Sequence, residues 1–200
     1  MSFRKEKKYR LTFFEFDKFK NLMIEYGMKR LYKARLVNSL YYDTELLEMF
    51  YHSEEGVTPR KKIRIRWYDS EKHYNIENKV SSIEGRHKTS LNSKRNISES
   101  FPKTITDQLY GLLTPSLQVS YEREYYLING ARLTFDKSIK YKNLRHSSIN
   151  EFKDPERVIE IKVGIDTSDD FIEKLIPYST SRFSKYSRGL LISQGQNLSI

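Results

Sequence analysis

Strict alternation of apolar and cationic positions marks the stretch Lys61–Trp67 as a β-strand. Its apolar residues alternate with Lys62, Arg64 and Arg66, so one face of the strand is apolar and the other is wholly cationic. Successive charges on the cationic face lie roughly 6–7 Å apart along the strand and repel one another. We therefore expect a polyanion or interleaved carboxylates beside this face.

Charged residues spaced by two recur elsewhere in the chain. The pairs are Glu6/Lys8, Arg64/Arg66, Glu77/Lys79 and Glu160/Lys162. A single pair of this kind is typical of a solvated strand face, but four pairs in 200 residues indicate a feature that several strands share. The pair Glu160/Lys162 is the most informative, because the rest of Val158–Val163 is apolar, as in a strand with one face on a core.

Hydrophobic periodicity and turn residues predict the remaining elements. The predicted helices are Asp17–Tyr26, the short helical turn Thr44–Tyr51, Lys103–Leu113, Ser168–Ile176 and a final helix that begins at Phe183. The predicted strands are Arg4–Leu11, Leu36–Asp43, Lys61–Trp67, Tyr74–Val80, Gly85–Asn92, Leu117–Leu127, Ala131–Asp136, Ile139–Leu144 and Val158–Val163. The polar segment Ser93–Ser100 predicts a loop.

About eight antiparallel strands with charged residues at alternate positions predict an α+β fold built on a closed β-barrel. A small barrel packed with apolar side chains could not hold these charges, so the expected interior is a basic tunnel. The apolar strand faces would then point outward and be covered by the helices. The chain shows no internal repeat of 20–50 residues and no long linker, which predicts a single domain over residues 1–200.

The amino-acid composition limits the classes of binding partner and the kinds of site that the chain can have. The formal charge of +10 and a pI near 9.5 favour nucleic acid, an acidic lipid surface or phosphate-rich small molecules. Without cysteine, the chain has no thiolate nucleophile, disulfide or cysteine-based zinc site. The N-terminus lacks the apolar core of a signal peptide, and no run approaches the ~18 apolar residues of a membrane span. We expect a cytoplasmic protein, with membrane association through a separate partner left open.

Short motifs follow one another in an order that is similar to that of a known family. In chain order they are Arg4-Lys5-Glu6-Lys7-Lys8-Tyr9, Ser39-Leu40-Tyr41-Tyr42-Asp43, Arg64-Ile65-Arg66, Glu77-Asn78-Lys79, Tyr121-Glu122-Arg123, Arg132-Leu133-Thr134-Phe135-Asp136, Glu160-Ile161-Lys162 and Ser184-Lys185-Tyr186. Together they resemble the polyphosphate polymerase domain of the vacuolar transporter chaperone (VTC) family, within the triphosphate tunnel metalloenzymes of the CYTH superfamily. The order and spacing of the motifs from Arg4 to Arg188 carry the resemblance.

One difference from the opening motif of other superfamily members indicates which branch of the superfamily this chain resembles. Tunnel triphosphatases and class IV adenylate cyclases begin with Glu-x-Glu-x-Lys, in which two carboxylates help to hold a divalent metal. The corresponding residues here are Arg4, Glu6 and Lys8, so a cation replaces the first carboxylate. This form looks like the VTC branch, and the added positive charge suits a long anionic chain better than hydrolysis of one triphosphate.

The resemblance also implies site residues. It implies catalytic roles for Lys8, Arg64, Arg66, Lys79 and Glu160. It implies further phosphate contacts for Lys88, Arg123, Arg132, Lys162, Lys185 and Arg188. Arginine forks suit bidentate phosphate contacts, whereas lysines act as point charges. Glu160, with Glu6 as a second ligand, would hold Mn²⁺ or Mg²⁺ on nucleotide phosphates. The alternatives are a salt bridge from Glu160 to a tunnel arginine and a solvated helix-cap position for Lys185.

The resemblance implies an ATP-dependent polyphosphate polymerase that transfers the γ-phosphoryl group of ATP to a growing chain. Two alternatives keep the same fold: a hydrolase of inorganic triphosphate, nucleotides or polyphosphate, and a non-catalytic polyphosphate sensor. Nucleic-acid binding is not expected, because Glu6, Glu77 and Glu160 interrupt the basic faces. The aromatic residues Phe13, Phe14, Phe16 and Trp67 also fit core positions rather than base-stacking positions.

Overall fold

The computed structural model describes residues 4–69, 71–83, 85–96, 101–145 and 151–196. Within these ranges the chain forms ten strands and four helices. The strands are β1 (Arg4–Leu11), β2 (Lys29–Asp43), β3 (Arg60–Tyr68), β4 (His73–Ser82), β5 (Gly85–Asn96), β6 (Ile105–Asp107), β7 (Gly111–Ile128), β8 (Ala131–Asn143), β9 (Glu151–Lys153) and β10 (Arg157–Gly164). The helices are α1 (Phe13–Glu25), α2 (Glu48–Glu55), α3 (Asp169–Leu175) and α4 (Lys185–Ser193). Among the described helices, none is both long and apolar enough to cross a bilayer.

The strands hydrogen-bond in the order β1-β10-β8-β7-β2-β3-β4-β5, with β6 on β7 and β9 on β8. The predicted α+β class with a mostly antiparallel sheet is confirmed, but the predicted closed barrel is wrong. In the described ranges β1 pairs only with β10 and β5 only with β4, so the sheet is open. The side chains of residues 87–92 on β5 are exposed and mostly polar, Lys88 among them. Polar and charged side chains on an edge strand oppose pairing with a further strand.

The chain forms two compact units. The first comprises Met1–Arg35, Tyr121–Ile139 and Asp154–Phe183, and the second comprises Leu36–Ser120, Lys140–Lys153 and Ser184–Ile200. Strands β2, β7 and β8 contribute residues to both. The single domain over residues 1–200 stays a prediction.

In the first unit, β10 lies between β1 and β8 and has one apolar face. Tyr9 lies opposite Ile159, which in turn lies opposite Phe135, and all three side chains are buried. Residues directly opposite each other share a face of the sheet. The neighbouring residues along each strand therefore form a second face, which carries the charges.

Helix α1 covers the apolar face of the first unit. It begins at Phe13 rather than at the predicted Asp17, because Thr12 forms a capping box. The Thr12 hydroxyl accepts a hydrogen bond from the backbone N–H of Glu15, and the Glu15 carboxylate accepts one from the backbone N–H of Thr12. The buried residue Phe16 packs edge-on against Phe135 with ring centres 5.3 Å apart.

In the second unit, β2, β3, β4 and β5 pair in sequence order, and β2, β3 and β4 contribute to one apolar face. Ile65 of β3 lies opposite Leu40 of β2 and Ile76 of β4. Met49 of α2 and Leu113 of β7 are buried in the same cluster. The alternation that predicted a two-faced strand in Lys61–Trp67 is thus confirmed.

The predicted helix Lys103–Leu113 is wrong. The segment folds as a hairpin in which Ile105 pairs with Leu113 and Asp107 pairs with Gly111. One Asp107 carboxylate oxygen accepts hydrogen bonds from the backbone N–H groups of Leu109 and Tyr110, and Gly111 adopts a φ of +71°. Aspartate and glycine favour such a turn, whereas the apolar spacing by itself matched a helix.

The structure corrects three further predictions, which concern a loop, a pair of strands and two phenylalanines. The predicted loop Ser93–Ser100 begins as strand, since β5 runs to Asn96, and residues 97–100 lie outside the described residues. The strands predicted as Ala131–Asp136 and Ile139–Leu144 form one strand, β8.

Phe13 and Phe14 are exposed by 62% and 72%, so neither is a core residue. They follow the Thr12 cap on the outer side of α1, where the guanidinium of Arg157 lies 4.0 Å from the ring centre of Phe13.

Candidate functional site

The charged face of the first unit is organised around Glu160. Lys8 lies opposite Glu160 and Glu6 lies opposite Lys162 across β1 and β10. The alternation of Arg4-x-Glu6-x-Lys8 and of Glu160-x-Lys162 therefore puts two carboxylates and two ammonium groups on one face. Lys8 is held by a hydrogen bond of 2.8 Å from its Nζ to the backbone carbonyl of Phe183.

Glu160 is 7% exposed and is ion-paired on both carboxylate oxygens. Its Oε1 lies 2.9 Å from Nζ of Lys162, and its Oε2 lies 3.8 Å from Nη2 of Arg123. Burial by itself would raise the pKa of Glu160, but the positive charges of Lys8, Arg123 and Lys162 hold it well below its ordinary value. The carboxylate is therefore ionised at neutral pH.

Arg123 joins this group from β7 and is itself fixed by Asp136 of β8. Its Nε and Nη2 donate to the two Asp136 oxygens at 2.6 and 2.7 Å, which is a bidentate fork. Burial opposes the charged form of Arg123, but the adjacent Asp136 raises its pKa well above the ordinary value. Asp136 was not predicted as a site residue. Its position in the motif Arg132-Leu133-Thr134-Phe135-Asp136 was the signal that could have identified it.

The carboxylates of this face are compatible with a divalent cation. Glu6 Oε1 lies 2.6 Å and Glu160 Oε1 lies 2.9 Å from the same ammonium nitrogen of Lys162, so the two carboxylates converge on one positive charge. In the described part of the chain, no group of three or more His, Asp or Glu residues could hold a metal ion. Mg²⁺ is often bound by one or two carboxylates while phosphates and water complete its shell. Glu160 and Glu6 fit that mode and not a cage made of protein ligands alone.

The charged face of the second unit is organised around Glu77. Arg64 lies directly opposite it, and its Nε and Nη2 donate to Glu77 Oε2 at 2.8 and 2.5 Å. Lys88 donates to Oε1 at 2.6 Å, and Arg66 Nη1 lies 3.8 Å from Oε2. Burial would raise the pKa of Glu77, but the charges of Arg64 and Arg66 and the hydrogen bonds lower it to about 2. Here three cations surround one ionised carboxylate.

Two residues of β2 complete this cluster. The Tyr41 hydroxyl accepts a hydrogen bond of 2.8 Å from Nη1 of Arg64, and the Ser39 hydroxyl accepts one of 3.3 Å from Nε of Arg66. Burial opposes ionisation of Tyr41, but the neighbouring Arg64 and Arg66 lower its pKa overall. Neither residue was predicted as a site residue from the sequence. Their alternate positions in the motif Ser39-Leu40-Tyr41-Tyr42-Asp43 could have identified them.

Helix α4 packs against the cluster. The ring of Tyr186 stacks on Tyr41 with centroids 4.8 Å apart, and the Tyr186 hydroxyl donates to Asp43 at 2.5 Å. Asp43 also accepts hydrogen bonds from the backbone N–H groups of Met49 and Phe50, which belong to the first turn of α2. These contacts fix the position of the Tyr41 ring and, through its hydroxyl, of Arg64.

Three lysines form a row across the second unit. Lys62 lies opposite Lys79, and Lys79 lies opposite Lys88, on three neighbouring strands. Like charges directly opposite each other in a sheet are destabilising. Lys62 donates to the Ser184 hydroxyl at 2.8 Å, and Ser184 is the N-cap of α4. The row is suited to an extended anion.

The predicted site residues thus fall into two groups. Around Glu160 in the first unit are Glu6, Lys8, Arg123, Arg132 and Lys162, with Arg132 lying opposite Lys162. In the second unit are Arg64, Arg66, Lys79 and Lys88 around Glu77, and Lys185 and Arg188 on α4. Lys185 is the first residue of α4 and is half-buried, and the capping residue is Ser184, not Lys185.

The VTC domain family model matches residues 3–193. The chain belongs to the VTC domain family. The resemblance inferred from its motifs is confirmed, and a comparison with curated proteins finds no match.

Solved structures share the fold of this VTC domain. A protein of Pyrococcus horikoshii is 17% identical with a TM-score of 0.55, covering 96% of this chain and 99% of its own. An adenylate cyclase candidate from Bacillus halodurans is 15% identical with a TM-score of 0.57, covering 92% of this chain and 94% of its own. An adenylyl cyclase candidate from Hippeastrum, for which a dominant triphosphatase activity is described, is 15% identical with a TM-score of 0.52, covering 98% of both chains.

Proposed function

We propose that this VTC domain is an ATP-dependent polyphosphate polymerase, which transfers the γ-phosphoryl group of ATP to a growing polyphosphate chain. The observation that carries the proposal is that each unit holds a buried, ionised carboxylate, Glu160 or Glu77, among cations on alternate strand positions. Membership in the VTC family supports the same assignment.

The reaction needs no nucleophilic side chain. A terminal oxygen of the acceptor chain attacks the γ-phosphorus of ATP and forms a new P–O–P linkage. The bond from the γ-phosphorus to the β–γ bridging oxygen breaks, and ADP leaves with that oxygen. The chain gains one phosphoryl unit, and no oxidant, reductant or further reactant is required. A protein contributes mainly alignment and neutralisation of charge on the phosphate oxygens.

The two charged clusters differ in their balance of carboxylates and cations. The cluster of the first unit combines three carboxylates, Glu6, Asp136 and Glu160, with nearby cations, which suits phosphates that carry a divalent ion. The second unit sets one carboxylate against several cations, which suits a phosphate chain without a metal ion. There, Arg64 and Arg66 would contact phosphate oxygens as forks, and the lysines as point charges. Lys185 and Arg188 would add phosphate contacts on α4.

Glu160 and Glu6 would hold Mn²⁺ or Mg²⁺. When bound, the ion would neutralise oxygens of the nucleotide phosphates. Lys162 contacts both carboxylates, so its ammonium group is positioned to move to a phosphate oxygen when the carboxylates take a metal ligand. The four cations Lys8, Arg123, Arg132 and Lys162 would remain to bind phosphate.

Chain growth from labelled ATP is the test. The full chain is incubated with γ-labelled ATP and Mn²⁺, with and without a short polyphosphate primer, and the products are resolved by length. We expect a ladder of lengthening chains and one ADP for each phosphoryl group added. Glu160→Gln should abolish the ladder, whereas Glu25→Gln, on the exposed side of α1, should leave it intact. A ladder that is the same with Glu160→Gln would contradict the role of Glu160.

A second candidate function is hydrolysis of triphosphate. The Hippeastrum protein of the same fold is described by its triphosphatase activity, and the first unit keeps the carboxylates Glu6 and Glu160 on one charged face. Arg4 opposes this function because it replaces a carboxylate of the hydrolytic motif. Release of orthophosphate without chain growth in the same assay would establish the hydrolase, and tight primer binding without turnover would establish a sensor.

A further inference from the structure

The corner between α1 and β2 in the first unit is closed by short backbone hydrogen bonds. The N–H of Gly27 donates to the carbonyl of Ile24, and the N–H of Met28 donates to the carbonyl of Met23. Gly27 adopts a φ of +88°, a conformation that favours glycine. Met23 and Met28 are buried in the core of the unit, so they fix the corner from inside. The corner itself lies at the surface, since Tyr26 is 67% exposed.

Apolar side chains on both sides of this corner are exposed to solvent. Ile24 belongs to the last turn of α1, Tyr26 follows the helix, and Tyr32 belongs to β2. The guanidinium carbon of Arg35 lies 6.0 Å from the ring centre of Tyr32, so an aromatic ring and a cation are adjacent there. Exposed apolar side chains that are grouped beside polar groups mark contacts with other proteins or with membranes.

The same segment is strongly basic. Between Leu22 and Arg35 the charged residues are Glu25, Lys29, Arg30, Lys33 and Arg35. Lys29 and Lys33 are exposed, and no carboxylate of the described residues pairs with either of them. Arg30 lies 3.6 Å from the buried carboxylate of Glu124, but Lys20 lies closer to the same oxygen, at 2.7 Å. The surface of the segment therefore carries a net positive charge.

An anionic lipid bilayer accounts for both kinds of side chain. Lysine and arginine are attracted by the negative surface of such a bilayer, and tyrosine and aliphatic side chains favour the boundary between headgroups and acyl chains. A nucleic acid would use the cations and the tyrosines, but it offers no apolar environment for Leu22 or Ile24. Because one short segment carries all these residues, one bilayer surface can contact them together.

We propose that the α1–β2 surface docks on an anionic lipid bilayer. This surface is defined as Ile24, Tyr26, Lys29, Arg30, Tyr32 and Lys33. The isoleucine and the two tyrosines enter the boundary between headgroups and acyl chains, and the three cations bind headgroup phosphates. None of the six residues belongs to the charged clusters around Glu160 and Glu77, so the proposal does not rest on the polymerase function.

Co-sedimentation of the full chain with lipid vesicles tests the proposal. The vesicles contain phosphatidylcholine with or without phosphatidylglycerol, and we expect binding to require the anionic lipid. The double variant Lys29→Gln/Lys33→Gln should weaken binding about fivefold for each charge removed. Lys72→Gln/Lys103→Gln removes the same charge from two exposed lysines of the second unit and should keep most of the affinity. Equal losses in the two double variants, or no binding to anionic vesicles, would overturn the proposal.

Fluorescence quenching by brominated lipid tests whether the apolar residues enter the bilayer. Trp67 is the single tryptophan of the chain and is half-buried on β3 in the second unit, so a new tryptophan reports on its own position. We expect Tyr26→Trp to be quenched more strongly than the parent chain. Tyr51→Trp makes the same change at an exposed residue of the second unit and should add no quenching. Equal quenching of the two variants, each checked for folding by circular dichroism, would contradict insertion at the α1–β2 surface.

Two further ligands identify other occupants of this surface. If Lys29→Gln/Lys33→Gln weakens binding of a single-stranded oligonucleotide while the parent chain does not bind vesicles, the surface binds nucleic acid and the lipid assignment is overturned. If the same variant weakens tripolyphosphate as strongly as vesicles, the lysines bind free phosphate and the assignment is also overturned. Chain growth from ATP in solution should be unchanged in this variant, so failure of the polymerase assay and failure of the vesicle assay remain distinguishable.

Discussion

Arg64 lies directly opposite Glu77 across β3 and β4, and its guanidinium donates twice to one carboxylate oxygen. The two residues are 9% and 4% exposed. Charges removed from water to this degree are tolerated only when they are paired and hydrogen-bonded. Glu77 therefore counters the repulsion among the cations of this face, and a bound phosphate group can serve the same purpose.

Replacement of Glu77 should destabilise the fold and make it depend on an anion. In Glu77→Gln the cations Arg64, Arg66 and Lys88 lose their shared negative partner, so we expect the free energy of unfolding to fall by about 3–5 kcal/mol. Urea denaturation measures this loss. Tripolyphosphate should raise the urea midpoint of Glu77→Gln more than that of the parent chain, because the anion replaces the missing charge. Equal shifts in both proteins would contradict this role of Glu77.

The lowered pKa of Glu77 predicts that the folded chain loses stability in acid. The pKa of Glu77 is about 2 in the folded chain, against an ordinary value of 4.5, so the unfolded chain binds the proton more readily. The stabilisation is fully present above about pH 4.5, is lost as the pH falls towards about 2, and is on the order of 3 kcal/mol. The pKa of Glu160 is also depressed, so its contribution is likewise lost on acidification.

Denaturation between about pH 6 and pH 2.5 isolates the contribution of Glu77. The Glu77→Gln variant lacks one of the carboxylates whose pKa is lowered by folding, so its free energy of unfolding should fall less steeply over this range than that of the parent chain. Glu25→Gln, which changes an exposed carboxylate, should keep the parent slope. An identical slope for Glu77→Gln and the parent would mean that Glu77 is not the titrating group.

The Tyr41 hydroxyl should matter for the position of Arg64. Tyr41→Phe keeps the stacked ring on Tyr186 but removes the acceptor for Arg64 Nη1. We expect a loss of about 0.5–1.5 kcal/mol in stability and weaker binding of tripolyphosphate. Tyr51→Phe, at a residue that is 49% exposed, is the control and should change neither quantity. A full stability loss with unchanged phosphate affinity would limit Tyr41 to a structural role.

Removal of one charge from the lysine row should have opposite effects on stability and on polyphosphate binding. Lys79 lies between Lys62 and Lys88, so Lys79→Gln removes like-charge repulsion and should leave stability unchanged or raise it by about 0.2–1 kcal/mol. Binding of a long polyphosphate should weaken, and the slope of its logarithmic affinity against logarithmic salt concentration should become shallower by about 0.7, as for loss of one phosphate contact on a flexible strand.

A second lysine provides the control for this prediction. Lys72 is exposed in the turn between β3 and β4, and Lys72→Gln removes the same charge from the same unit. It should leave the salt slope nearly as in the parent chain. Equal changes in the slope for both variants would indicate that net charge, and not the row, controls binding.

Local signals predicted much of the fold. Alternation identified β3 and β10 and the residues on their charged faces, because a period of two is a property of the strand itself. The same reasoning failed at Lys103–Leu113, where the apolar spacing resembled a helix but Asp107 and Gly111 made a hairpin turn. The exposed positions of Phe13 and Phe14 were also missed, because burial depends on what packs against the residue.

The sequence by itself determined the family, the alternating strand faces and the types of charged residue that they carry, since all of these are read from order and spacing along one strand. Only the tertiary structure decided which charges meet. The pairing of Arg64 with Glu77, the fork of Arg123 on Asp136 and the unpartnered Nε of Arg132 depend on register between strands. Register is set by packing of the opposite, apolar face, and that packing brings together residues distant in the chain.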